Sequence, residues 1–308
     1  MPELPEVEYT ARQLRASIVG ATISQAHVFW ERTVGHPELA PFLIEVSERQ
    51  IEGVRRRGKF LLIDLSGDLF LSIHRRMTGN FLLLPAGWRI DTSLRTSDVA
   101  AWNTRGPLFF PEQGIENSYS RELYYCRICF DFSDGRRLLF TDPRKFGRVE
   151  LWPSERENEA LKGLGPEPLG SAFTVEYLAS ELARRRTGIK QALLDQTVVA
   201  GVGNIYADEA LFYARIHPLR RSDSLTSAEI CLLHEGVISV LTLAIEYGGT
   251  SFNDYRDLWG EAGDNYNHVH VYKQTDKPCP RCGTLIERMV IAQRSAHFCP
   301  GCQKLIVA

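Results

Sequence analysis

The chain has 308 residues, of which 44% are hydrophobic and 24% charged, and carries a formal net charge of −2. That length and apolar content suit a chain with two domains and a good core, and no apolar run approaches membrane-spanning length. The N-terminus lacks the basic and apolar regions of a signal peptide, so a soluble, cytoplasmic, monomeric protein with no membrane partner is the expectation.

The chain opens Met1-Pro2-Glu3-Leu4-Pro5-Glu6. Removal of Met1 would expose a secondary amine at Pro2, and an α-amino group titrates near ~7.7–8.0, so part of it is nucleophilic at neutral pH. Such an amine attacking an aldehyde-level carbon forms an iminium and splits one difficult step into two easier ones. Glu3 is a candidate proton donor beside it, and Glu6 follows one turn later. The plainer reading is a helix start, which Pro5 suits. Residues 5–19 read as that helix, with Val7, Ala11, Leu14 and Ile18 on one stripe and Gly20 as its stop.

Short alternating runs follow at 21–31, Phe60–Leu65, Leu69–His74, 127–132, 137–140 and 149–152, a pattern that predicts a β-sandwich or barrel. Residues 85–120 are irregular and rich in Pro, Gly, Asn and Ser, as in an inserted loop. Basic residues cluster at Arg55–Arg57 with Lys59, at Arg75-Arg76, at Arg144-Lys145 with Arg148, and at Arg184–Arg186 with Lys190. Singly each reads as a solvated face; together they favour a polyanion-binding surface, because phosphate neutralisation drives most nucleic-acid affinity. Cys126 and Cys129 alternate within a strand, and residues three apart on a strand face opposite sides, so packing is preferred to a shared metal.

A Gly/Pro-rich linker at 163–170 introduces a helical half. An apolar helix from Ile189 and Lys190 leads to the turn Gly201-Val-Gly203-Asn204, which opens a second helix. Exposed amides there could grip phosphate, with Lys190 and Asn204 as donors, or the pair could be an ordinary helical hairpin. A dinucleotide fold is excluded by the missing strand-helix-strand unit and third glycine. Thr226-Ser-Ala-Glu229 is a capping box, and Cys231 beyond it reads as core. Cys279-x-x-Cys282 and Cys299-x-x-Cys302 have the spacing of a four-thiolate zinc site, structural because no position is left open; two disulfides are the alternative.

Four of these features in order resemble one family: Pro2-Glu-Leu-Pro-Glu-Val-Glu8, Asp142-Pro-Arg-Lys-Phe-Gly147, Gly201-Val-Gly-Asn-Ile-Tyr-Ala207 and the terminal zinc ribbon. The chain resembles the formamidopyrimidine-DNA glycosylases, bifunctional repair enzymes that excise oxidised purines. The resemblance implies an α+β fold. A β-sandwich with an N-terminal helix would span 2–152, a linker 153–172, a helix-two-turn-helix domain 173–270 and a β-ribbon zinc finger 271–308, with one structural Zn2+. The partner would be double-stranded DNA containing an oxidised base. Pro2 would attack C1′, Glu3 would act as acid/base, Glu6 would support the site, and β,δ-elimination would follow. Lys59 matches a lysine at the lesion phosphates. His74, Asn204, Arg294 and Lys145 match phosphate contacts, and Met77, Arg144 and Phe146 a void-filling triad. Arg144 would favour cytosine opposite the lesion.

Two departures stand out. Arg75-Arg76 replace a pair that is usually small or apolar, which would tighten DNA binding near the wedge or shift it. The loop that would cap the extruded base, 251–269, reads Asp264-Asn265-Tyr266-Asn267. Two alternatives remain: an endonuclease VIII-like enzyme for oxidised pyrimidines, disfavoured by Leu4, and a non-catalytic zinc-ribbon DNA-binding protein, which leaves Pro2, Glu3 and Lys59 without a reason.

Overall fold

A computed structural model describes residues 1–91, 108–111, 123–252 and 255–305. The first helix, Leu4–Ile18, turns Val7, Ala11, Leu14 and Ile18 inward until all four are fully buried, as their spacing predicts. Gly20 ends it in the left-handed region (φ 89°). The strands are β1 (Thr22–Val28), β2 (Val34–His36), β3 (Arg49–Arg57), β4 (Phe60–Leu65), β5 (Leu69–His74), β6 (Asn80–Leu84), β7 (Trp88–Asp91), β8 (Leu108–Pro111), β9 (Cys126–Phe132), β10 (Arg137–Thr141), β11 (Arg148–Pro153), β12 (Glu287–Ile291) and β13 (Arg294–Phe298).

Nine of them run in the order β2-β11-β5-β4-β3-β1-β9-β10-β6, antiparallel except where β11 meets β2. β1 joins β3 through only Thr22 and Ile23. The two halves on either side of that short seam share one core, in which Val54, Leu61 and Ile73 pack with Phe81, Phe130 and Phe140. This is the sandwich.

Three elements escape the sequence pattern. β3 is charged along most of its length, and its register slips between Ile51 and Gly53, so Ile51 and Val54 both face inward three residues apart. β6 is buried at every position and shows no alternation. Helix Leu39–Val46 is too short to display a full stripe. Within 85–120, β7 and β8 pair as a hairpin; residues 92–107 and 112–120 of that stretch lie outside the described residues. Cys126 and Cys129 fall in the same buried cluster with Leu82, Leu139 and Trp88. The expectation of opposite faces is therefore wrong, because the ladder slips between Phe140 and Thr141, although both thiols do pack as core.

The chain divides into two compact units. The first comprises residues 1–2, 6–162 and 250–263; the second comprises 3–5, 163–249 and 264–308. The second is helical, with Val175–Ala183, Ile189–Leu194, Asn204–Tyr213 and Ser227–Glu246, and carries the β12–β13 hairpin. Thr226 and Glu229 form the foreseen capping box. The helix they open corrects one expectation: its 20 residues are long and apolar enough to cross a membrane. It is a packed helix here, with Leu233, Val237, Leu241 and Ala244 buried and His234 bonded to the Phe173 carbonyl (2.7 Å). Cys231 is half-buried rather than core.

Candidate active site

In the first unit, β3 and β4 are joined by Gly58-Lys59, with Gly58 at φ 56° as a two-residue hairpin turn requires. Lys59 is therefore on the turn, not on a strand, and is mostly buried. Across the ladder His74 pairs with Phe60, ring against ring at 4.7 Å. Burial, with the charges of Arg76 and Lys59 nearby, depresses the His74 pKa to about 3. Its Nδ1 accepts the Arg76 amide (3.0 Å), which leaves Nε2–H as a neutral donor. Any phosphate contact by His74 is a hydrogen bond and not an ion pair.

Beyond His74 the chain turns at 75–79, and a second turn spans 142–147. Asp142 fastens them together: one carboxylate oxygen accepts from the Thr78 hydroxyl and the Arg144 amide (3.2 Å), the other from the Gly147 amide (2.7 Å). Buried Arg127 holds the Asp142 carbonyl (2.8 Å). On these turns Met77 and Phe146 are 40% and 49% exposed. Arg144 stacks over Phe146 (4.9 Å) and Lys145 over Trp30 (4.0 Å). Thr78 and Arg127 were missed in the sequence, and Asp142 was seen only as part of its motif. Their only signal is a polar residue beside each turn, which many surface turns share.

Several of the clustered basic residues are engaged within the protein, so only part of the clustered charge is open to a polyanion. Arg55 is bidentate to both Asp64 and Glu157, Arg56 meets Glu8 (2.9 Å), and Arg184 and Arg185 meet Glu181. Arg75 is buried outright at 1% exposure and is not a DNA contact; Arg76 alone of that pair is exposed. Glu6 is also buried, its Oε1 accepting the Thr250 amide (2.8 Å). Pro2 is buried as well.

In the second unit, the Gly201–Gly203 turn serves the N-terminal segment. Gly201, at φ 90°, receives the Leu4 amide on its carbonyl (3.1 Å), and a Cβ there would strike Leu4. Glu3 lies against Gly203, and its Oε1 accepts the Ile205 amide (3.1 Å) at the start of helix Asn204–Tyr213. The amides read as a phosphate grip hold a carboxylate instead, by the same physics of unsatisfied N–H groups and a positive helix end. Lys190 also corrects its expectation. It is fully buried, with Nζ 2.6 Å from both Asp208 and the Ser295 carbonyl, and desolvation lowers its pKa. A lysine closed off this way cannot reach phosphate. Asn204 is half-buried and bonds the Tyr272 hydroxyl.

The four thiol sulfurs of Cys279, Cys282, Cys299 and Cys302 all lie within 4.8 Å of one another. Sulfurs bound at ~2.3 Å around a tetrahedral Zn2+ stand about 3.8 Å apart, so the cluster fits one structural zinc. Cys279 and Cys299 pack with Phe212 and Val271, and His297 bonds Asp208 (3.1 Å), tying the ribbon to helix Asn204–Tyr213. The β12–β13 turn places Ala292 and Gln293 at positive φ (45° and 63°) and leaves Arg294 exposed.

The comparisons agree with this anatomy. Residues 1–149 match the formamidopyrimidine-DNA glycosylase N-terminal domain, 164–256 the H2TH domain of the same enzymes, and 276–305 a zinc finger found in FPG and IleRS. The formamidopyrimidine-DNA glycosylase of Herpetosiphon aurantiacus is 42% identical, covering 98% of this chain and 100% of its own. That of Roseiflexus sp. is 39% identical over 99% and 100%. A solved Lactococcus lactis FPG mutant bound to Fapy-dG DNA is similar at a TM-score of 0.83 and 34% identity, covering 99% of this chain and 100% of its own. Another structure of the Lactococcus lactis protein, holding an abasic site, gives 0.82 and 33%, covering 98% and 100%.

Proposed function

The chain belongs to the formamidopyrimidine-DNA glycosylase family, and from that premise we propose that it is a bifunctional DNA glycosylase and AP lyase of base excision repair acting on oxidised purines. One observation carries the reading. The carboxylate next to Pro2 in sequence is held on a helix N-terminus, at a glycine with no Cβ to displace it. A carboxylate oriented this way suits proton transfer beside the amine.

In the reaction, the Pro2 nitrogen bonds C1′ as the glycosidic bond breaks, and the base leaves with the electron pair and takes up a proton. The sugar ring then opens, with Glu3 protonating the ring oxygen, and an iminium remains on C1′. The iminium acidifies the 2′ hydrogen. Its loss breaks the 3′ C–O bond, a second elimination breaks the 5′ C–O bond, and water releases Pro2. Glu6 would steady the start of the helix through Thr250. Lys59, His74, Lys145, Asn204 and Arg294 are the groups assigned to the DNA backbone. Met77, Arg144 and Phe146 would fill the space an extruded nucleotide leaves. The bound zinc supplies no chemistry; it holds the ribbon that presents Arg294. The protein would act as a monomer on chromosomal DNA within the cell.

A pyrimidine lesion is the second reading, because a Lactococcus lactis relative has been solved on oxidised-pyrimidine DNA. Borohydride trapping separates the two, using Met1-free protein on duplexes carrying 8-oxoguanine opposite cytosine or thymine glycol. A covalent adduct at Pro2 on the 8-oxoguanine duplex is expected. An adduct only with thymine glycol would move the chain to pyrimidine lesions, and none on either would overturn catalysis.

A further inference from the structure

Arg75 is one of the largest fully buried side chains among the described residues, yet none of the salt bridges there includes it, and the Glu6 carboxylate supports its charge only from a distance. A buried guanidinium left without partners is strongly destabilising, so what satisfies it shows what it holds. Its Nε donates to the Gly79 carbonyl (2.7 Å), one terminal nitrogen to the Thr10 hydroxyl (2.9 Å) and more weakly to the Glu6 carbonyl (3.4 Å), and the other to Asn80 Oδ1 (2.5 Å). Its Cζ lies over the Tyr255 ring, 5.2 Å from the ring centre. Asn80 Oδ1 also accepts the Arg256 amide (3.2 Å). One rigid fork therefore joins three separate pieces of the first unit. These are the turn carrying exposed Met77, the helix that follows Pro2 and Glu3, and the Tyr255–Arg256 stretch.

We infer that Arg75 is a positioning residue for base removal, setting the Met77 turn and the Tyr255–Leu258 stretch in fixed relation to the Glu6–Thr10 turn of the catalytic helix. The same helix carries a second clamp on that stretch. Gln13 bonds both Asp257 (2.8 Å) and the Leu258 amide (3.0 Å), and the Leu258 carbonyl accepts the Leu83 amide (3.2 Å). Arg75 is the member that also reaches the turn. Burial lowers its pKa to about 10, so it stays charged at neutral pH. Lysine, with a point charge and no fork, cannot serve these acceptors together. The inference rests on the base-excision reading above and sharpens it. Removing a base requires the nucleotide to be held out of the stack, whereas cutting an abasic strand needs only the amine and its proton acceptor.

The test compares zinc-loaded full-length wild type, Arg75→Met, Arg75→Lys and Tyr255→Leu on two duplexes, one with 8-oxoguanine opposite cytosine and one with a preformed abasic site. Single-turnover base excision is expected to fall about 10- to 100-fold in both Arg75 variants, while abasic-strand cleavage changes by about twofold or less. Tyr255→Leu should show the same split to a smaller degree, and it keeps the test open if Arg75→Met folds poorly. Parallel loss of both activities in proportion to the folded fraction would make Arg75 structural only. Full activity in Arg75→Lys would show that charge alone suffices, and would also overturn the inference. Wild type that excises no base sinks the parent reading; wild type that excises, with an unchanged ratio in every variant, sinks this inference alone.

Discussion

Gly203→Ala isolates the role of Glu3 without touching Glu3. The Gly203 backbone is extended (φ −131°), so alanine adds no conformational strain there. What it adds is a Cβ placed 2.5 and 2.6 Å from the two Glu3 carboxylate oxygens. Ordinary contact requires a retreat of roughly 1 Å, and displacements of that size at a reacting centre cost about 100-fold in rate. At ~1.36 kcal/mol per decade this is about 2.7 kcal/mol of transition-state stabilisation. The figure lies within the range of about 1.5–3 kcal/mol for a hydrogen bond to a charged group, here the one from Ile205. Single-turnover excision from an 8-oxoguanine duplex should fall accordingly, with little change in DNA affinity. In a Glu3→Gln background the alanine should cost almost nothing further, because the group it displaces has already lost its function. Wild-type excision by Gly203→Ala, or full additivity in the double variant, would refute the placement of Glu3 as the proton-transfer group.

The remaining predictions concern charge and metal. Lys190→Met should destabilise the second unit by about 3–5 kcal/mol, as breaking a buried pair does, and leave the salt dependence of DNA binding unchanged; both are read from denaturant melts and salt titrations. Arg294→Ala should do the reverse, lowering the salt slope by about one with little effect on melting. Because His74 resists protonation until about pH 3 in the folded chain while an unfolded histidine takes up its proton near ~6.5, the unfolded state binds more protons between those values. His74 therefore contributes a loss of stability as pH falls from about 6.5 towards 3, which His74→Gln should remove, and its ring resonances should show no titration between pH 5 and 8. Zinc chelation or Cys299→Ser should unravel the ribbon and weaken DNA binding, since metal and fold are coupled; metal-free protein with unchanged affinity would contradict this.

Several features whose cause is local are already legible in the sequence. The stripe of Val7, Ala11, Leu14 and Ile18 needs only helical periodicity, the Thr226–Glu229 cap only its own turn, and the zinc cluster only two Cys-x-x-Cys turns joined by a hairpin. The order of four motifs along the chain was enough to place it in its family. What lay beyond reach depends on partners distant in sequence. Lys190 and Arg75 look like surface cations until Asp208, Ser295, Thr10 and Asn80 are brought around them. Gly203 looks like a phosphate cradle until Glu3, two hundred residues away, occupies it. A charged side chain carries the same letter whether it faces water or a carboxylate, and only the folded chain fixes the difference in solvation that decides its role.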